Sequence, residues 1–109
     1  MGRPVKRGEV RWYRFALPDK RRPVVVLTRD AVLEYLGEAT VAPVTSRIRD
    51  IPSEVRLGTQ DGMPHPCAVN CDHIQTVGKD KLGTLVSTLS ERRMLEVSAA
   101  IRFALDLRR

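Results

Sequence analysis

The sequence predicts a small, mainly β domain of mixed α+β type, a barrel or compact sheet closed by one C-terminal helix. Three observations carry this. Short runs rich in Val, Ile and Thr recur between Gly- and Pro-bearing connections. One segment near the end, Met94 to Leu105, has its apolar residues at helical spacing instead. With 109 residues, 42% hydrophobic and 29% charged, the chain fits a single soluble domain with a modest core.

Taken in order, Met1 to Arg7 is basic and is expected to be flexible; no apolar run follows it, so it does not read as a secretion signal. No run approaches the roughly 20 apolar residues of a membrane helix, and a cytoplasmic protein is expected. Residues 8–15 alternate as a strand with Val10, Trp12 and Phe15 facing inward. Leu17 to Arg21 is a polar connection built on the turn formers Pro18 and Asp19. Residues 22–28 form a continuous β-branched run, as in a strand covered on both faces. Thr28-Arg29-Asp30 is expected to cap a short helix through Leu36, stopped by Gly37. Strands are expected over 39–46 and from Ile51 to Leu57. Gly58 to Pro66, with two glycines and two prolines, must be a loop. Cys67 to Val77 gives one bent strand or two. Thr88-Leu89-Ser90-Glu91 matches a capping box with Thr88 as N-cap. Met94, Val97, Ile101 and Leu105 then form one helical stripe, widened by Leu95 and Phe103.

The charge balance points to a polyanionic partner. The net charge is +6, and Arg supplies 15 of the 19 basic residues. Guanidinium groups meet phosphate oxygens as a planar fork and stack on bases. Two cysteines do not make a disulfide framework. His65, Cys67, Cys71 and His73 could ligate zinc only if a tight turn interrupts residues 66–73. On a single strand the two sulfur-bearing residues would lie about 13 Å apart, too far for ligands about 2.3 Å from one centre. No metal or other cofactor is expected.

Two runs carry the chemistry. In Arg21-Arg22-Pro23-Val24-Val25-Val26, Pro23 holds Arg22 in an extended conformation and so aims it. In Pro43-Val44-Thr45-Ser46-Arg47, two hydroxyls end a strand and a cation follows. If the strands are neighbours, a guanidinium and a hydroxyl meet at a sheet rim, a pairing that suits a phosphodiester. RNA carries its own nucleophile, the ribose 2′-hydroxyl. Cleavage then needs a proton acceptor, stabilisation of the dianionic phosphorane, a proton for the leaving oxygen and in-line positioning. Arg22 suits charge stabilisation; Thr45 and Ser46 suit hydrogen bonding to a non-bridging oxygen. Asp72 and His73 are the titratable candidates, and only one of two adjacent strand residues can face the site.

Gly8-Glu9-Val10-Arg11-Trp12, Arg22-Pro23-Val24-Val25-Val26, Ala42-Pro43-Val44-Thr45-Ser46 and Cys71-Asp72-His73-Ile74-Gln75-Thr76-Val77 together resemble MazF/PemK-type toxins of toxin–antitoxin modules. The resemblance implies an SH3-like barrel of five to seven antiparallel strands and a homodimer. It implies metal-independent cleavage of single-stranded RNA, leaving a 2′,3′-cyclic phosphate and a 5′-hydroxyl. It also implies a cognate acidic antitoxin. By the same resemblance Arg22 and Thr45 are catalytic, with Ser46 and Asp72 beside them; Arg21, Arg47, Asn70 and Gln75 are expected to contact RNA. An arginine that some members carry two residues before the aspartate is Asn70 here. Two other readings share the fold: a non-enzymatic toxin that poisons DNA gyrase, and an inactive RNA-binding barrel.

Overall fold

A computed structural model describes residues 4–15 and 21–107. Seven strands make one antiparallel sheet: β1 (Glu9–Arg14), β2 (Arg21–Val26), β3 (Glu38–Thr45), β4 (Glu54–Leu57), β5 (Cys67–Asn70), β6 (Gln75–Gly78) and β7 (Leu85–Thr88). The order across the sheet is β4-β5-β3-β2-β1-β7, with β6 also on β3. The eight-residue β3 makes this possible. Its first half pairs with β6 through Glu38–Val41, and its end pairs with β5 through Val44 and Thr45. On its other edge Val41 to Pro43 pair with β2. The sheet curls around this strand.

The β-branched run of β2 is covered on both faces, as its composition predicts. Val25 and Leu27 belong to a core with Val10, Val44, Leu57, Val69 and Val97. Val24 and Val26 belong to a second, with Leu33, Val41 and Val77. Period-2 alternation separates the two sets. Phe15 joins the second core rather than the face of Val10 and Trp12. It packs there edge-on against Tyr13, with ring centroids 4.8 Å apart.

Helix α1 (Asp30–Leu33) is shorter than the sequence predicts and lacks a side-chain cap. Thr28, the expected cap, instead accepts a hydrogen bond from Thr40 N at 2.8 Å and ties the chain to β3. The strand expected from Ile51 starts at Glu54, because Ile51 O closes a turn with Glu54 N at 2.9 Å. Cys67 to Val77 is two strands, separated by a 3-10 turn at Cys71–His73. Residues 4–7, read as flexible, are fastened here. Val5 packs on the second core, Lys6 N donates to Glu9, and Arg7 N donates to Asp30 at 2.7 Å.

Helix α2 (Glu91–Ala104) is capped by Ser90, whose hydroxyl accepts from Arg93 N at 3.1 Å. Thr88 cannot serve, because it still pairs with Glu9 in the sheet, and Leu89 N bonds Gly8 O at 2.9 Å. Val97 and Ala100 are buried, with Met94, Ile101 and Ala104 packed beside them. Leu105 lies past the helix end and is exposed, as are Leu95 and Phe103. The predicted stripe therefore divides into an inner face and an outer one.

Candidate nuclease cleft

The register of β2 on β3 decides where the two motifs meet. Val24 pairs with Pro43 and Val25 with Ala42. Continuing that antiparallel pairing by two residues sets Arg22 opposite Thr45. Pro43 offers no N–H, and beyond it β3 turns its hydrogen bonds to β5. The rim between β2 and β3 thus opens where the guanidinium and the hydroxyl sit.

A cleft of about 210 Å³ lies at this rim. Arg21, Arg22, Thr45 and Ser46 line it from the strand ends; Trp12 and Pro23 form its floor, and Met63, Pro64 and His65 form a wall from the loop after β4. No carboxylate is among its described lining residues, whereas two guanidiniums are. Its field therefore suits an anion.

The cations divide the work by strand alternation. Arg21 shares a face with Trp12 and Pro23, and its guanidinium carbon lies 4.6 Å from the Trp12 ring centroid. By alternation Arg22, with its partner Tyr13, and Thr45 leave the strands on the other side of the rim, and Arg22 and Thr45 also line the cleft there. The Thr45 hydroxyl accepts from Arg47 N at 3.0 Å. That bond occupies a lone pair and leaves the hydroxyl proton free to donate.

The remaining sequence-predicted residues lie outside this cleft. The Asp72 carboxylate accepts from Ser53 Oγ at 2.6 Å, and Asp72 N donates to Asn70 Oδ1 at 3.0 Å. The Asn70 amide meets His73 Nδ1 at 3.3 Å. Both Asp72 and His73 belong to the 3-10 turn and are exposed, so the either-or of strand alternation does not apply to them. Gln75 and Arg47 are exposed and likewise do not line the cleft. The turn that a zinc site would need is present, but Cys67 and Cys71 are buried in the first core. Among the described residues no group of three or more His, Cys, Asp or Glu side chains is arranged to hold a metal ion. Burial pushes the Cys71 thiol up to about 11, with the Asp72 charge adding to it, and raises Cys67 as well.

The loop wall is fixed from behind. Arg93 of α2 grips Asp61 through Nε at 2.9 Å and Nη2 at 3.2 Å, and reaches Glu96 at 2.8 Å. Asp61 also accepts from Gly58 N at 2.9 Å, closing a 3-10 turn at Thr59–Asp61. Gly62 follows with φ 83°, a left-handed conformation that favours glycine, and a Cβ there would lie 2.5 Å from Ser87 Oγ. Sequence reasoning treated this segment as a connecting loop and missed it as a cleft wall.

The family model for PemK-like, MazF-like toxins of type II toxin–antitoxin systems matches residues 6–105. The chain belongs to this family. It is 41% identical over 104 residues to "Probable endoribonuclease MazF5" of Mycobacterium tuberculosis, covering 94% of each chain. Among solved structures it superposes on M. tuberculosis toxin MazF-mt6 with a TM-score of 0.83 at 33% identity, covering 91% of this chain and 97% of that one. A mycobacterial endoribonuclease solved in complex with its cognate antitoxin gives 0.84 at 27% identity, covering 94% and 96%. The mainly β MazF fold is therefore the fold of this chain, including the short first helix and the closing α2 of the predicted architecture.

Proposed function

We propose that this MazF-type toxin is an endoribonuclease that cuts single-stranded RNA at the β2–β3 rim without a metal ion. The observation that carries the reading is the meeting of Arg22 and Thr45 at one cleft whose described lining holds no carboxylate. Arg22 and the Thr45 hydroxyl, with Ser46 beside them, bind the non-bridging oxygens and stabilise the phosphorane as charge builds on it. The 2′-hydroxyl attacks in line, which gives the cyclic phosphate and a free 5′-hydroxyl. Arg21 on Trp12 offers a cationic, planar surface for a base or phosphate. Asp72, Arg47, Asn70 and Gln75 lie outside the cleft, so the reading has them meet RNA beyond the scissile phosphate.

The same cationic cleft suits an acidic antitoxin segment, which would compete with RNA for it. The exposed Leu95 and Phe103 on α2 support a homodimer. No helix among the described residues is long and apolar enough to cross a membrane; a cytoplasmic toxin is part of this reading.

The test is cleavage of an unstructured RNA in excess chelator, with ends mapped. A single 2′-deoxy substitution at the cut abolishes cleavage if the ribose hydroxyl is the nucleophile. Arg22→Ala is expected to lower kcat by about a hundredfold or more with the fold intact. Cutting that survives the 2′-deoxy substitution overturns the mechanism. Growth arrest with intact RNA overturns the function.

A further inference from the structure

We propose that His65 is the general base of the cleft, taking the proton of the attacking 2′-hydroxyl. The inference rests on the reading of the cleft as a nuclease site and supplies the proton acceptor that Arg22 and Thr45 do not. An arginine holds its proton far above neutral pH, and a neutral hydroxyl is not a base without a helper.

Among the described lining residues one candidate remains. Their titratable and charged side chains are Arg21 and Arg22 from β2, His65 from the loop wall, and Cys67 from β5. Cys67 is buried in the core and its thiol is pushed up. Imidazole is the side chain whose ordinary ionisation lies near neutrality, about pH 6.5, where a base works best. Asp72 and His73 do not line the cleft.

The position is built in several independent ways. His65 stands between Pro64 and Pro66, which restrict the backbone on both sides. This is the device that aims Arg22 ahead of Pro23. Behind the loop, Asp61 is locked to Arg93 and Ser87 Oγ donates to Asp61 O. The His65 ring is exposed and its Nδ1 lies 3.0 Å from Pro66 O. A carbonyl oxygen only accepts, so Nδ1 is the donor there, and in the neutral ring Nε2 keeps a free lone pair. That tautomer is the one a base requires.

The step balances without a co-reactant other than water. The 2′-hydroxyl proton passes to His65 Nε2 as the O2′–P bond forms and the P–O5′ bond breaks. The departing 5′ oxygen takes a proton from water, and the imidazolium gives its proton to the hydroxide left behind.

His65→Gln tests this, since a surface amide keeps polarity but does not titrate. Single-turnover rates on a minimal RNA are measured from pH 5 to 9, with a second substrate whose bridging 5′ oxygen is sulfur. The expected result is a kcat about a hundredfold lower, a KM little changed, loss of the acidic limb of the wild-type profile, and the same defect on the sulfur substrate. A defect that vanishes on the sulfur substrate assigns His65 to the leaving group and overturns the proposal. A defect confined to KM makes His65 an RNA contact and also overturns it. Wild-type activity retained by His65→Gln removes this inference alone, whereas a wild-type chain that cuts no RNA removes the nuclease reading beneath it.

Discussion

At the scale of single residues, burial decides which side chains can react. Cys67 and Cys71 are each 1% exposed, and desolvation disfavours their thiolates, Cys71 to about 11. The thiolate is the reactive form. The folded protein at pH 8 is therefore expected to resist iodoacetamide at both positions, and the denatured chain to react promptly. Intact mass after timed alkylation checks this; rapid single labelling of the native protein would contradict the packing described for them. The same logic separates what was legible in the site from what was not. Arg22 and Thr45 could be read from sequence because Pro23 and the strand end dictate local backbone direction. His65 could be seen only as a metal-ligand type. Its place over the cleft depends on how the loop after β4 folds back, which no local signal encodes. Trp12 is a similar case: alternation marks it as inward-facing, but only the pairing of β1 with β2 brings Arg21 over its ring.

At the scale of elements, local propensity located strands and helices well and their ends less well. β2 and the inner stripe of α2 follow directly from a β-branched run and from 3.6-residue spacing. The ends were set by tertiary partners. Thr28 and Thr88 both carry cap-forming hydroxyls, but β3 claims one and β1 pairs with the other. β7 has no local signal of its own, since Leu85–Thr88 has only four residues and gains its identity from β1. The tie between α2 and the cleft wall has an energetic consequence. The Arg93 hydrogen bonds hold the Asp61 carboxyl below its ordinary value of 3.8, and the same bonds raise Arg93. A carboxyl lowered on folding stabilises the fold above its unfolded pKa and ceases to do so as pH falls through the folded value. The stability contributed by this pair is thus fully present at neutral pH and is lost progressively below about pH 4. Asp61→Asn is expected to cost about 2 kcal/mol at pH 7 and to flatten the acid limb of stability between pH 4 and 2. Urea denaturation across that range measures it. An acid limb as steep in Asp61→Asn as in the wild type would show that other carboxyls carry it.

At the scale of the whole molecule, fold and charge serve one surface. The radius of gyration, 13.1 Å, is that of a compact chain of this length, about 13 Å, so the cationic groups are spread over a small body. A net charge of +6 attracts a polyanion, single-stranded RNA in the proposed function, from any direction, but only phosphates that are contacted release counterions on binding. Each such contact contributes about 0.7 to the slope of log K against log salt for a single strand. Arg47 is exposed just past Thr45, and its backbone N–H is already committed to the Thr45 hydroxyl. The proposed function has the exposed Arg47 side chain meet the phosphate next to the scissile one. Binding of an RNA made uncleavable by one 2′-deoxy sugar, titrated from 50 to 300 mM salt, is expected to give a straight line. Arg47→Gln should reduce the slope by about 0.7 and weaken different RNA sequences alike. If Arg47→Gln weakens some sequences and spares others with the slope unchanged, Arg47 reads a base edge, and specificity begins at the end of β3 rather than in the loops around it.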